Sequence, residues 1–275
     1  MTVKNLSSSS IDNILDCFLE AFENYFVSLP TDKAFYKQRW KAAGVNFDCS
    51  YGMFDGEKLV GFIIHAIDRR NGKLTAFNTG TGVIPAYRGQ RIVASIYTHA
   101  LKDLAQQGIE HSVLEVITKN EIAIKLYEAI GFKKCKEFQC FQGTIDLDYP
   151  IEPELKEVPL SEVKWDHLPH QEFYSWDNQK ESIVKGNYRF FEVIHKGKVE
   201  SFFIINPALH YLSQLDLLST DHEAWNRLFK GIQHFSDTMK VNNVDTRLTD
   251  KKAALLAIGL TNTVDQYEME MEIKL

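Results

Sequence analysis

A strand, a short loop and a helix follow one another over residues 79–104, and this succession constrains the fold more than any other feature. The strand ends at Val83-Ile84, the loop runs from Arg88 to Arg91, and apolar residues recur at helical spacing from Ile92 onward. A helix N-terminus presents unpaired N–H groups and the positive end of the helix dipole. The loop and the helix start therefore predict an anion site that suits a pyrophosphate.

The elements around this succession form an α/β pattern. Asp55-Gly56 and Asn71-Gly72 are hairpin turn signals, and they join three strands between residues 51 and 83 into an antiparallel meander. Helical spacing at residues 11–22 and 35–43 predicts two helices before the meander. A strand at 112–117, a helix at 120–129 and one or two strands within 132–141 are predicted after the loop and helix.

The order of elements recurs in the second half of the chain. It predicts a hairpin at 190–205, a strand at 211–218, a long helix at 223–240, a strand at 244–248, a short helix at 250–257 and a strand at 263–273. Chance similarity of two αβ units is the alternative to a duplicated fold. Proline and acidic residues are frequent in residues 146–165, which are predicted to link a domain at 1–145 to a domain at 166–275.

Two segments together resemble the GNAT superfamily of N-acetyltransferases, over roughly residues 50–142. Val83-Ile84-Pro85 and the loop after it are similar to the family's acyl-CoA loop, which has the form Arg/Gln-x-x-Gly-x-Gly/Ala after a strand that ends in Val-x-Pro. Asn120, Leu126-Tyr127 and Gly131-Phe132 are similar to the family's later signature. The resemblance implies an α/β (α+β) fold with two GNAT-like mixed, mostly antiparallel sheets flanked by helices.

The resemblance also implies that the first domain uses acetyl-CoA as its co-substrate, without a metal. The implied cofactor-binding residues are Thr81, Gly82, Val83, Arg88, Gly89, Gln90, Arg91, Ile92, Val93, Ala94 and Asn120. Arg91 and Val93 stand where the family prefers glycine or alanine. A backbone that is already helical there would tolerate a side chain, because only a positive φ demands glycine. With such a backbone Arg91 would also reach a CoA phosphate. We expect that binding is retained, because Arg88, Gly89 and the helix start are intact; the alternative is a loop that no longer admits the pyrophosphate.

Amine attack on a thioester needs a base for the amine proton and a donor for the departing thiolate. The resemblance implies Tyr127 as the donor and Glu115 as the base, although Tyr127 also fits a core aromatic residue and Glu115 a solvated or ion-paired strand residue. The predicted function is acyl-CoA-dependent N-acyl transfer, by direct attack, to a primary amine of an unknown small molecule or peptide. A non-catalytic acyl-CoA sensor or a scaffold is the alternative. Four residues are candidates for acceptor choice: Phe22, Tyr25, Tyr36 and His65.

The second half departs further from the family pattern. Residues 219–223 stand where the acyl-CoA loop belongs, and they include Asp221 and Glu223 but neither glycine nor arginine. Two acidic residues there would repel a phosphate. Leu255 occupies the position that matches Tyr127. We therefore predict a degenerate copy that does not bind CoA and that has a structural or substrate-shaping role.

Charge and composition exclude several classes of partner. The 275 residues carry a net charge of −6 at pH 7, whereas nucleic acids and anionic membranes attract a basic face. The four cysteines form no C-x-x-C pair and no cluster with zinc-site spacing. The N-terminal residues do not resemble a secretory signal, and no apolar stretch approaches the length of a membrane-spanning helix. We expect a cytoplasmic protein without nucleic-acid or membrane partners, and oligomerisation is left open.

Overall fold

A computed structural model describes residues 1–23, 25–27 and 29–274, and the chain divides into two compact units. The first unit comprises Met1–Cys135 together with the C-terminal residues from Tyr267, and the second comprises Lys136–Gln266. These limits differ from the predicted domains 1–145 and 166–275. The last strand begins in the second unit and ends in the first, and part of the predicted linker 146–165 is a strand.

The first unit is a sheet with helices packed on it. Its elements are β1 (Thr2–Asn5), α1 (Ile11–Ala21), α2 (Lys33–Ala43), β2 (Tyr51–Asp55), β3 (Lys58–Arg70), β4 (Lys73–Val83), α3 (Ile92–Gln106), β5 (His111–Ile117) and α4 (Glu121–Ile130). The strand order is β1-β2-β3-β4-β5, followed by the C-terminal residues of the last strand of the chain. The pairs from β1 to β4 are antiparallel, whereas β4 and β5 are parallel.

Local chemistry explains where most helices of this unit begin. The side chains of Ser10, Asp32 and Asn120 each accept a hydrogen bond from a backbone N–H in the first turn of α1, α2 and α4. The buried faces of α1 and α3 lie in one hydrophobic core with the strands, and Phe18 and Ile96 are among its members. This core fixes α1 and α3 against the sheet and thereby positions the loop that joins β4 to α3.

The second unit repeats this arrangement. Its elements are β6 (Lys133–Thr144), β7 (Glu154–Val158), α5 (Lys180–Ile183), β8 (Arg189–His195), β9 (Lys198–Asn206), β10 (Tyr211–Leu217), α6 (Ala224–Gln233), β11 (Thr238–Asp245), α7 (Thr249–Ala257) and β12 (Thr261–Glu272). The strand order is β6-β11-β10-β9-β8-β7. Only β10 and β11 pair in parallel among the registered neighbours of this order. The predicted class, mixed and mostly antiparallel sheets flanked by helices, is confirmed.

The predicted helix at 223–240 is wrong in its second half, because α6 ends at Gln233 and β11 begins at Thr238. Met239, Val241 and Asn243 are buried, whereas Lys240 and Asn242 between them are exposed. This alternation has the period of a strand and not of a helix. Within the described residues, no helix has the length and apolar character that crossing a membrane requires.

Candidate active site

The parallel strands β4 and β5 separate before either of them ends. Their paired residues run from Thr75 and His111 to Asn78 and Leu114, yet β4 continues to Val83 and β5 to Ile117. On its other edge β4 remains paired with β3 as far as Val83, apart from a bulge at Thr79. The part of β4 from residue 80 to 83 is therefore left without β5 as a hydrogen-bonding partner. A cleft between parallel strands at their carboxyl ends is a usual place for a ligand.

The loop after β4 leads into a helix start that has no side-chain cap. Gly89 has a φ of +79°, and a Cβ there would meet no atom within 4 Å, so its positive φ and not crowding accounts for the glycine. The residue before α3, Arg91, makes no capping hydrogen bond with its side chain, unlike the residues that cap α1, α2 and α4. The first backbone bond of α3 runs from the Ser95 N–H to the Arg91 carbonyl. The N–H groups of Ile92, Val93 and Ala94 thus precede it and suit an anion.

The condition under which a side chain at Arg91 would have no cost, a backbone that is already helical, is not met. Arg91 has a φ of +56° and lies in the left-handed region, which favours glycine. Val93, in contrast, lies inside α3, where a side chain has no such cost. The side chains of Gln90 and Arg91 are exposed.

Arg88 is held by backbone carbonyl groups. Its Nε donates to the Val83 carbonyl at 3.2 Å, and its Nη2 donates to the Ala21 carbonyl at 3.0 Å. Ala21 is the last residue of α1, where a positive charge is favourable. Gly82 supports the same junction, because an added Cβ would lie 2.9 Å from the Ala21 Cβ and 2.7 Å from Phe62 Cζ. Arg88 therefore fixes the end of β4 to α1, and a contact with CoA stays a prediction.

Four polar side chains meet beside the separated part of β4, and of these Asn78, Tyr97 and Tyr127 are buried and Thr81 is half-buried. Asn78 Nδ2 lies 2.7 Å from Thr81 Oγ1 and 2.7 Å from Tyr97 Oη. The Tyr97 and Tyr127 rings lie edge to face, with centroids 6.2 Å apart. Burial raises the pKa of Tyr127 to about 12, while hydrogen bonding from Thr81 and Asn78 opposes this rise. Burial likewise raises the pKa of Tyr97 well above its ordinary value. Tyr127 is therefore a protonated phenol at neutral pH.

Asn120 directly precedes α4, and Glu115 lies in the part of β5 that no longer pairs with β4. The Asn120 Oδ1 accepts from the Ala123 N–H at 3.2 Å and so caps α4. Burial raises the pKa of Tyr25, and the Asn120 side chain opposes that rise by hydrogen bonding to the Tyr25 hydroxyl. Glu115 is the first residue of β5 after its pairing with β4 ends, and one of its carboxylate oxygens is buried. The predicted roles of Asn120 as a cofactor contact and of Glu115 as a base stay predictions.

Two of the four candidates for acceptor choice lie in the core. Tyr36 is 2% exposed, and His65 is fully buried with its Nδ1 2.7 Å from the Cys49 carbonyl oxygen. Burial lowers the pKa of His65 to about 4. The other two, Phe22 and Tyr25, are half-buried and pack edge to face with ring centroids 5.0 Å apart. Burial makes Tyr36 and His65 less accessible to an acceptor than Phe22 and Tyr25, and the role of all four stays a prediction.

Asn78 and Tyr97 were missed as site residues. Tyr97 fits the apolar face of α3, so its spacing predicts a core position. Asn78 lies in a buried part of β4, next to Ala76 and Phe77. A buried amide side chain needs hydrogen-bond partners, so an asparagine at this position was the one sequence signal for a polar cluster.

In the second unit, a side chain bridges the two strands at the corresponding place. β10 and β11 pair only at Tyr211 and Lys240. Asn178 lies between the strands, because its Nδ2 donates to the Asn242 carbonyl at 3.0 Å and its own carbonyl accepts from Gln214 Nε2 at 2.7 Å. Asn178 therefore bonds a backbone carbonyl of β11 and a side chain of β10.

A backbone N–H group at the start of α6 also has a protein partner. The Asp221 Oδ1 accepts from the Glu223 N–H at 3.0 Å, and its Oδ2 forms an ion pair with Arg227. The helix start that would face a phosphate in this unit carries an acid. Among the described residues there is no group of three or more His, Cys, Asp or Glu side chains that could hold a metal ion.

Comparisons with known proteins agree with this geometry. Residues 12–132 match the Acetyltransferase (GNAT) family. N-alpha-acetyltransferase 30 of Schizosaccharomyces pombe is 27% identical over 107 residues, which are 38% of this chain and 71% of that protein.

Two solved structures share the fold over almost the whole chain. A putative acetyltransferase from Pyrococcus horikoshii has a TM-score of 0.68 at 14% identity and covers 99% of this chain and 89% of its own. A tandem GNAT protein from the clavulanic acid biosynthesis pathway has a TM-score of 0.67 at 14% identity and covers 100% and 99%. Residues 12–132, which lie in the first unit, are therefore similar to the GNAT acetyltransferases, and the solved structures show that the whole chain shares the fold of such proteins.

Proposed function

We propose that the first unit transfers an acetyl group from acetyl-CoA to a primary amine by direct attack. The observation that carries the proposal is the cleft where β4 leaves β5, which lies between the uncapped start of α3 and the buried hydroxyl of Tyr127. The helix start supplies N–H groups for a pyrophosphate, and residues 81–83 of β4 supply an unshared strand edge for an extended, amide-containing arm. In our proposal the thioester lies on that edge beside Thr81, within reach of the Tyr127 hydroxyl.

The reaction forms a C–N bond and breaks the C–S bond of the thioester. Backbone N–H groups on the free edge of β4 polarise the acetyl carbonyl as the oxygen gains charge. The amine loses a proton to a base, for which Glu115 is our candidate, and the sulfur leaves as a thiolate that is finally protonated.

The raised pKa of Tyr127 defines its role. A cysteine-like thiol has a pKa of about 8.5, so a phenol with a pKa of about 12 does not give up its proton readily to such a thiolate. Tyr127 instead keeps its proton and donates a hydrogen bond to the sulfur as negative charge develops there. Such a donor stabilises the transition state more than the neutral thioester, which is the requirement for a higher kcat.

The acceptor carries a primary amine beside an apolar group. Phe22 and Tyr25 pack against one another on the way from the core to the surface, and Tyr25 packs against Phe26, which is 55% exposed. The name of the similar yeast protein refers to an α-amine, so the α-amines of peptides belong in an acceptor screen together with small amines.

The second unit does not bind CoA in our proposal. The support is the acidic start of α6 and the occupation of the cleft between β10 and β11 by Asn178. Calorimetric titration with acetyl-CoA then gives one site per chain. Two equivalent sites would contradict this part of the proposal.

Thiol release tests the chemistry. Acetyl-CoA is mixed with the full chain and with a panel of amines, and free CoA is detected with a thiol reagent. Tyr127→Phe lowers kcat by about 10- to 100-fold and leaves the Kd for acetyl-CoA nearly unchanged, because the hydroxyl acts on the departing sulfur. Tyr211→Phe is the matched control, since it removes a tyrosine hydroxyl that bonds Asn178 in the second unit.

The outcomes separate the alternatives. If the chain binds acetyl-CoA but turns over none of the amines, it is a non-catalytic acyl-CoA-binding module. If it does not bind acetyl-CoA even at millimolar concentration, the proposal that acetyl-CoA is its co-substrate is wrong. Unchanged kcat in Tyr127→Phe removes Tyr127 from the reaction.

A further inference from the structure

Residues 267–274 alternate between apolar and charged side chains, and the apolar ones belong to the core of the first unit. Met269 and Ile273 are buried there, and Tyr267 and Met271 pack against the same core. The Ile273 N–H donates to the carbonyl of Glu110, the residue before β5, at 2.9 Å. A period of two gives this end of β12 one apolar face and one charged face.

The charged face also has partners in the first unit. Glu270 Oε2 lies 3.4 Å from His111 Nε2, and Glu272 Oε1 lies 3.7 Å from Lys73 Nζ. His111 is the first residue of β5, and Lys73 is the first residue of β4. The first unit therefore presents a groove that matches both faces of this strand.

The place of β12 in the sheet connects it to the candidate site. β12 lies next to β5 on the edge opposite to β4, and on its other side the Cys135 Sγ–H donates to the Glu268 carbonyl at 3.4 Å. β4 pairs with β5 only as far as Asn78 and Leu114, so β12 is the neighbour of β5 that remains in the strand order once β4 has separated. Glu115 lies in the part of β5 that β4 has left. The position of this wall of the cleft therefore depends on residues that follow the second unit in the chain.

We propose that residues 267–274 are a donated strand: they fill a groove of the first unit beside β5 and hold β5 in the position that the acetyl-CoA cleft requires. A strand that adds to a sheet binds through main-chain hydrogen bonds and through pockets for alternate side chains, and both are present here. The second unit then has a role without chemistry, because the polypeptide reaches the groove through it. The part of the inference that concerns acetyl-CoA rests on the proposed function.

Met269→Lys tests the strand in the full chain, because it places an ammonium group at a fully buried position in the core of the first unit. We expect amide hydrogen exchange of residues 111–117 to become at least about 10-fold faster, while exchange of β10 in the second unit stays as in the wild type. The Kd for acetyl-CoA, measured by calorimetry, rises by about 10-fold or more, because the apparent affinity falls with the fraction of molecules that keep the cleft.

A synthetic peptide of residues 263–274 distinguishes a displaced strand from a misfolded chain. Tethering gives the chain's own strand a high effective concentration, so a free peptide at about 1 mM competes with it only when that strand is damaged. The peptide therefore restores slow exchange and acetyl-CoA affinity to Met269→Lys and leaves the wild type unchanged. The same peptide with Met269→Lys restores neither.

Met239→Ala is the matched control for the milder substitution Met269→Ala. Both methionines are fully buried and both substitutions remove the same atoms, but Met239 belongs to β11 and to the core of the second unit. Met269→Ala accelerates exchange of residues 111–117 and weakens acetyl-CoA binding, because it loosens the strand beside β5. Met239→Ala does neither.

Three results would overturn the inference. The first is wild-type exchange of residues 111–117 in Met269→Lys, the second is fast exchange that the wild-type peptide does not slow, and the third is an unchanged Kd for acetyl-CoA despite fast exchange. If Met269→Lys fails to fold, which its far-UV circular dichroism reports, the two alanine variants decide, and equal exchange of residues 111–117 in both overturns the inference. Absence of acetyl-CoA binding by the wild type refutes the proposed function instead, and the exchange and peptide experiments still test the strand.

Discussion

Arg91→Gly separates backbone strain from charge in the loop before α3. Arg91 has a φ of +56°, a conformation that costs a residue with a Cβ about 1–2 kcal/mol. Glycine adopts this conformation without strain. Its greater conformational entropy in the unfolded chain, however, lowers the free energy of unfolding by about 0.4–1 kcal/mol. The net expectation is a first unit that is more stable by about 0.5–1 kcal/mol.

Thermal unfolding measures this gain. At about 2–4 °C per kcal/mol for a domain of this size, the Tm of the first unit rises by about 1–4 °C. Lys196→Gly is a matched control, because Lys196 has a φ of +51° in the turn between β8 and β9 of the second unit. It stabilises the chain through the same effect and leaves the Kd for acetyl-CoA unchanged.

The same substitution has the opposite effect on ligand affinity. The exposed guanidinium of Arg91 next to the start of α3 attracts an anion, and the attraction is strongest at low ionic strength. Arg91→Gly therefore weakens acetyl-CoA binding by a few-fold in low salt and by less in high salt. A lower Tm in Arg91→Gly would refute the strain argument, and an unchanged Kd at low salt would refute the contact with phosphate.

Two further predictions concern buried groups. Lys251 is 4% exposed, and its Nζ lies 2.9 Å from Asp216 Oδ2 and 3.1 Å from the Tyr174 hydroxyl. Lys251→Ala leaves the buried Asp216 carboxylate with His170 Nδ1, at 2.7 Å, as its remaining side-chain partner, so we expect a cost of up to about 3 kcal/mol, the lower end for a broken buried pair. Urea unfolding measures the loss, and equal midpoints for Lys251→Ala and the exposed control Lys180→Ala would contradict the pairing. Burial raises the pKa of Tyr127 from 10.0 to about 12, so the folded state holds this proton more strongly: the stabilisation is complete below pH 10 and is lost as the pH rises toward 12. Urea titrations at pH 9 and pH 11 detect it as a loss that is smaller in Tyr127→Phe, and equal losses in both proteins would show that Tyr127 is not buried as described.

Local signals predicted much of the fold, because they act between neighbours in the sequence. Asp55-Gly56 and Asn71-Gly72 connect the strands that the hairpin pattern indicated. The strand β1 was missed, since its four residues pair with β2 almost fifty positions away and carry no turn signal between them. The helix expected up to residue 240 failed for a related reason, because the apolar face of α6 runs directly into the alternating residues of β11.

The candidate site, like the fold, was predictable from the sequence only in part. The loop from Arg88 to Arg91 and the position of Tyr127 were visible as a pattern of residues. The conformation at Arg91 was not visible from the arginine itself, and the family's preference for glycine at this position was the signal that pointed to a positive φ. The roles of Asn78 and Tyr97 depend on a bulge at Thr79 and on where β5 leaves β4. Both are results of strand register, which a single strand does not encode.

A crystal structure of the full chain with acetyl-CoA tests the central claim most directly. The account predicts one molecule of the cofactor per chain, with its pyrophosphate on the N–H groups of Ile92, Val93 and Ala94 and its thioester sulfur within hydrogen-bonding distance of the Tyr127 hydroxyl. Acetyl-CoA bound between β10 and β11 of the second unit, or bound in the first unit with its sulfur remote from Tyr127, would contradict it.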